Sequence, residues 1–158
     1  TITGNTMWKG YTHNLKVTGC AQLVLASNVF DRNPLYHYGD GAIAKLGLVF
    51  TDSSDCTITG NHLNGVGDIP AAVVLRRCRR MNISSCTILD HGKCGLLLDD
   101  VSDSRVSDCL IRDDHRLPGS VSLQVTKGQG NMIIDNLLGT APSIVKNAGT
   151  VKGNVHPD

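Results

Sequence analysis

The side chains best suited to chemistry sit in two short segments, Asp90-His91 and the run Asp113-Asp114-His115-Arg116. Two carboxylates held close together can share a proton, split their pKa values or hold a cation between them. Glycoside hydrolysis uses such a pair, about 6.5–9.5 Å apart in inverting enzymes and about 5–5.5 Å apart in retaining ones. Imidazole and guanidinium beside the pair would supply a base, an acid or a counter-charge for an anionic sugar. Asp and His are equally ordinary residues of a solvated turn. A second group, Tyr36, His37 and Tyr38, lies in the longest loop beside Asp31, Arg32 and Asp40 and holds two of the three tyrosines. Aromatic faces of this kind stack on sugar rings, or fold down over apolar strands.

What must position these residues is an internal repeat. An apolar residue, two small or polar residues, Asn or Cys, any residue and then an apolar residue recur seven times. The instances are Ile2 with Asn5 and Met7, Leu25 with Asn28 and Phe30, Ile58 with Asn61 and Leu63, and Ile83 with Cys86 and Ile88. Val106 follows with Cys109 and Ile111, then Ile133 with Asn136 and Leu138, and Val151 with Asn154, where His156 takes the last apolar slot. A preceding strand enters at a constant step of eight residues: Val17 to Leu25, Phe50 to Ile58, Leu75 to Ile83, Leu98 to Val106 and Val125 to Ile133. Length variation is therefore mostly confined to one place, between the end of one pattern and the next strand, as in 31–45 and 112–120.

Each unit reads as strand, fixed turn, strand, tight Asn turn, strand, variable loop. Alternate residues of Leu48-Val49-Phe50, Val73-Val74-Leu75, Leu96-Leu97-Leu98 and Leu123-Gln124-Val125 should point inward. No amphipathic helix of 10 to 12 residues is expected. Counting from Ile88 and Ile111 sets Asp90 beside Asp113 and His91 beside Asp114. The same alignment gives two charged columns, Asp52, Arg77, Asp100 and Lys127, and Asp55, Arg80 and Asp103. Alternating ion pairs that fix the register are the first reading of these columns. The other is a surface for a charged sugar, with Arg or Lys as base and Asp holding calcium, although alternating signs neutralise one another.

The segments Thr57-Ile58-Thr59-Gly60-Asn61 and Asn82-Ile83-Ser84-Ser85-Cys86, with their five relatives, resemble repeats of the right-handed parallel β-helix, pectate-lyase-like superfamily, over the entire chain. The resemblance implies the handedness, an internal ladder of stacked Asn amides from which Cys86 and Cys109 depart, and a substrate groove along the first strand and its bordering loops. It also implies a secreted or cell-surface protein that binds or cleaves polysaccharide. Asp99-Asp100 echoes a polygalacturonase-like pair, but the accompanying Gly-His-Gly and Arg-Ile-Lys segments are absent. The expected fold is thus an all-β, single-stranded parallel solenoid of six to seven coils. Thr1-Ile2-Thr3 and Gly153-Asn154-Val155 read as interior pieces of coils, so the expectation is one domain over 1–158, cut from a longer protein.

Composition narrows the partners. A formal charge of +1 gives no field that would attract nucleic acid or an anionic membrane, and no apolar run approaches a membrane span. With 41% apolar residues but only 4% aromatic, the core must be filled by aliphatics in thin layers. The six cysteines lack any C-x-x-C or zinc-ligand spacing, and several fall instead on repeat positions: Cys20 and Cys78 in one inward turn column, Cys86 and Cys109 in the ladder, near disulfide distance. Three functions remain: a lyase, hydrolase or epimerase using the 90–116 loops, a sugar-binding module using Tyr36 to Tyr38, or a non-catalytic scaffold. The last would use the outward stripe Val49, Val74 and Leu97, which is apolar and suits a covering loop or a partner chain. No cofactor is implied beyond calcium.

Overall fold

The computed structural model describes residues 1–8, 13–31, 47–66, 70–115 and 117–157. Most of its strands fall into three parallel sheets, and a short fourth pairs Val101–Ser102 with Gly128–Gln129. Sheet I contains Leu15–Thr18, Leu48–Thr51, Val73–Arg76, Cys94–Asp99, Val121–Val125 and Ser143–Ile144, stacked in chain order. Sheet II holds seven strands, Ile2–Thr3, Val24–Ala26, Thr57–Thr59, Asn82–Ser84, Arg105–Ser107, Asn131–Ile134 and Gly149–Lys152. Sheet III holds Thr6–Trp8, Val29–Asp31, His62–Asn64, Thr87–Leu89, Leu110–Arg112 and Leu137–Leu138. The chain visits I, II and III in turn and closes each coil at one corner, which is the expected parallel β-helix. Among the described residues there is no helix.

Register follows the repeat. Ile58 pairs with Ile83 and Ile83 with Val106, while Leu63 pairs with Ile88 and Ile88 with Ile111. These inward side chains, with Phe50, Leu75, Leu98 and Val125 from sheet I, are 1% exposed or less. Full burial of such a side chain is worth about 1.5–3 kcal/mol, and a coil acquires it only by stacking on its neighbours.

The tight turn between sheets II and III works because the residue before each ladder position is left-handed: Gly4, Ser27, Gly60, Ser85, Asp108, Asp135 and Gly153 all have positive φ. That conformation turns the next side chain into the core. Each ladder amide then serves the coil before it. Asn28 Oδ1 accepts from both nitrogens of Asn5 at 3.0 Å, and Asn61 Oδ1 accepts from the main-chain and side-chain nitrogens of Asn28 at 3.1 and 3.0 Å. Asn154 Oδ1 does the same for Asn136. Cys86 and Cys109 interrupt this amide stack as free thiols, and all six cysteines are unbridged. The Cys86 Sγ stands 4.0 Å from Asn61 Nδ2, and its own thiol donates toward the carbonyl of Ile58. Its hydrogen bond with Cys86, together with burial, pushes the Cys109 thiol well above the ordinary thiol range, while burial alone pushes Cys94 up to about 12. Thiols held protonated in this way are core fillers and not nucleophiles.

The charged columns are the left-handed corners of the turn between sheets I and II. Positive φ occurs at Asp52, Arg77 and Asp100, and again at Asp55, Arg80 and Asp103. Asp tolerates this region because its short carboxylate can bond locally, whereas Arg has no such excuse. Both arginines are clamped from the previous coil. Arg77 forms a two-point pair with Asp52 at 2.6 and 2.9 Å, and Arg80 makes the same fork with Asp55. The ion-pair reading of these columns therefore holds for both pairs. Farther back, Arg76 bonds Asp99 at 3.0 Å, and Thr126 donates to the other oxygen of that carboxylate.

The Arg80 fork, aided by the Ser54 hydroxyl, holds the Asp55 carboxyl down at about 2. A depressed carboxylate contributes above its unfolded pKa, near 3.9, and the contribution is lost as pH falls through about 2. Arg80→Ala is expected to return Asp55 toward the ordinary aspartate range, followed by the pH titration of its carboxyl carbon in NMR spectra. An unmoved titration would mean that the fork does not form in solution.

The outward stripe of sheet I is largely covered. Val74 and Leu97 are buried, clustered with Ala71 and Cys94, and only Val49 is partly exposed. Tyr36, His37 and Tyr38 lie outside the described residues, as does Arg116.

Candidate functional site

The corner where each coil passes from sheet III back to sheet I gathers the polar residues. Thr87–Leu89 and Leu110–Arg112 pair in register, so Asp90 and Asp113 follow at equivalent places, and Asp90 N–H donates to the Arg112 carbonyl at 3.0 Å. In the following coil Thr140 stands two residues beyond Leu138, just as Asp113 stands beyond Ile111. The site is this column continued through three coils.

Asp113 is its fixed point. Its side chain is 3% exposed, with Oδ2 accepting the Gly92 N–H at 2.8 Å and Oδ1 accepting the His115 N–H at 2.9 Å. The carboxylate thereby ties its own loop to the loop of the coil before. His115 Nδ1 lies 3.4 Å from both Asp90 Oδ1 and Asp113 Oδ1, and one ligand atom from each of the three residues falls within 4.8 Å of the others.

His91 is not the solvated loop residue that the sequence suggests. It is 1% exposed, and neither ring nitrogen has a hydrogen-bond partner. Gly95 makes room for the ring, since a Cβ there would stand 3.0 Å from His91 Cδ2 and 2.3 Å from Ile111 Cγ2. Burial pulls the imidazole below its usual range, against the opposing pull of Asp113, the Gly92 main chain and Asp90. Asp114 parts from the group: its carboxylate turns back to Arg112, and its N–H donates weakly to Asp90 Oδ1 at 3.4 Å.

Beside Asp113 opens a cavity of about 510 Å³, within the range of small-ligand sites. His91, Asp113, Leu117, Ser120, Ser122, Thr140 and His156 line it. The hydroxyls knit the corner together. Ser120 Oγ donates to the Gly92 carbonyl at 2.7 Å, and Ser122 Oγ accepts from the Gly139 and Thr140 N–H groups at 3.0 Å each. Leu117 is half exposed, and His156, read from sequence as a scattered surface residue, is exposed at the cavity's rim. The serines, Thr140 and Leu117 carried no warning except that counting on from Leu138 places Thr140 in the Asp90 and Asp113 column.

A family model described as a right-handed β-helix region matches residues 1–154. The chain belongs to the right-handed β-helix family. No curated protein matches it. In this β-helix, membership accounts for the coils, the ladder and the placing of loops at one corner. The chemistry of the corner is a property of its own residues.

Proposed function

We propose that this β-helix binds carbohydrate at the corner cavity beside Asp113. The cavity itself carries the proposal: it joins a buried carboxylate, an imidazole rim and hydroxyls to the apolar surface of Leu117. Saccharides ask for that mixture, with fixed acceptors for their hydroxyls and an apolar patch for the C–H face of the ring. The loops bordering sheet I are also where the sequence resemblance places a substrate groove. Turnover is a further step. Of the six candidates for it, Asp90, Asp113 and His115 converge, His91 lines the cavity with Asp113, and Asp114 pairs with Arg112.

Leu117 and His156 are the residues to test, because both are exposed and neither anchors the coil. Titration of neutral and uronic oligosaccharides into the whole chain should give saturable binding, weakened about tenfold by Leu117→Ala with His156→Ala, or roughly 1.4 kcal/mol. Equal affinity in the double variant, or no binding across the panel, would remove the cavity as a glycan site.

A partner-binding scaffold is the second reading, favoured by one observation. Leu137 and Val155 are bridged across adjacent coils and 50% and 62% exposed, with Met132 at 47% on the neighbouring sheet. Apolar residues grouped on an outer corner suit contact with another chain better than water.

A further inference from the structure

Two carboxylates and an imidazole meet here, and among the described residues no lysine or arginine forms an ion pair with Asp90 or Asp113. Asp113 is fixed by two main-chain donors at 2.8 and 2.9 Å, so its oxygens cannot swing away, and Asp90 is held at a left-handed corner in the adjacent coil. His115 Nδ1 stands 3.4 Å from an oxygen of each. Bonds of about 2.0–2.1 Å at tetrahedral angles put neighbouring ligand atoms about 3.4 Å apart. Both measured edges match that separation, before any side chain moves.

His91 is the independent sign that something is missing from this corner. It follows Asp90 directly in sequence, it is 99% buried and lines the same cavity as Asp113, and both ring nitrogens lack partners. A buried polar group left in that state is destabilising. Three protein ligands around zinc leave a fourth position for water.

We propose that Asp90, Asp113 and His115 form a site for a divalent transition metal of the zinc type, beside the buried His91. The donor set discriminates between ions. Calcium prefers six to eight oxygens at 2.3–2.6 Å, whereas an imidazole nitrogen with two carboxylates suits zinc, manganese or cobalt. The site stands on side-chain geometry and needs no sugar, so it can succeed or fail apart from glycan binding.

The test is titration of the whole chain, under reducing conditions, with cobalt(II), zinc and calcium as the only added ligands. One cobalt ion per chain should bind, with the visible bands of a four-coordinate nitrogen and oxygen site, and zinc should displace it. Calcium should bind at least about tenfold more weakly. His115→Ala, at a side chain 72% exposed and therefore tolerated by the fold, should weaken zinc at least about tenfold. Asp113→Asn should do the same, with circular dichroism confirming that the coils remain. Cys20→Ser controls for the one half-exposed thiol and should leave binding unchanged. The site is wrong if cobalt gives no such spectrum, if His115→Ala binds zinc as the parent does, if calcium competes equally, or if binding disappears with Cys20.

Discussion

Gly128→Ala should lower the stability of this β-helix by about 4 kcal/mol, the sum of about 1–3 for overpacking and a similar strain term. Gly128 pairs with Val101 across adjacent coils, and a Cβ at that position would lie 1.8 Å from the Val101 carbonyl oxygen and 2.8 Å from its carbon. Those are main-chain atoms of a fully buried residue, so no flexible side chain can give way. The backbone adds its own objection, because φ is +122° at Gly128 and L residues avoid that region. For a chain of this size the loss corresponds to a fall in Tm of roughly 8–16 °C in a thermal scan. Gly119→Ala is the control: φ is +76° there, but nothing lies within 4 Å of the added Cβ, so only the strain remains. Equal shifts in the two variants would show that the coils can part at Val101 without penalty.

The second large effect belongs to the ladder. Asn61→Leu removes the oxygen that accepts both the main-chain N–H of Asn28 and its side-chain amide, at 3.1 and 3.0 Å. It also removes the donor to the carbonyls of Leu25 and Thr59. Asn28 is 1% exposed, so water cannot replace the lost partner, although its amide keeps a bond to the Ile2 carbonyl. At about 1–3 kcal/mol for each orphaned group, the expected loss is about 3 kcal/mol, read as a shift in urea midpoint at unchanged slope. Asn61→Cys should lose less than half as much, since Cys86 and Cys109 already occupy ladder positions and sulfur is a weak acceptor. If Cys were as damaging as Leu, the thiols of the middle coils would have to be sites of weakness in the parent as well.

These two positions also show where sequence was informative. Asn61 could be placed because its column has a single requirement, an inward polar group after a left-handed residue, and the requirement recurs in every coil. The register pairs Ile58 with Ile83 and Ile88 with Ile111 emerged for the same reason. The charged columns were found, and their ion pairs expected, but their cause was missed: both lie at positive-φ corners, which Asp and Gly betray in sequence and Arg77 and Arg80 conceal. The corner site was less legible still. His91 is buried because Gly95, four residues on, withholds a side chain, and Asp113 is buried because Gly92 and His115 offer it main-chain donors. Neither relation has a period, so pattern alone would set His91 beside Asp114, in solvent. The stripe of Val49, Val74 and Leu97 was read as apolar and in need of cover, and Val74 and Leu97 are buried; what covers them was not legible, because alternation along a strand says which face a residue is on and nothing about what lies over that face.

Insertion at a single corner has a consequence for how such a chain can change. Five strand entries keep their eight-residue step whatever length of loop precedes them, so the frame and the loops are nearly independent variables. A few residues gained or lost between a sheet III strand and the next sheet I strand alter closure entropy by only a few tenths of a kcal/mol while remaking the wall of the cavity. Novelty can therefore accumulate beside Asp113 by drift in loop length, and the scaffold that carries it would scarcely register the difference.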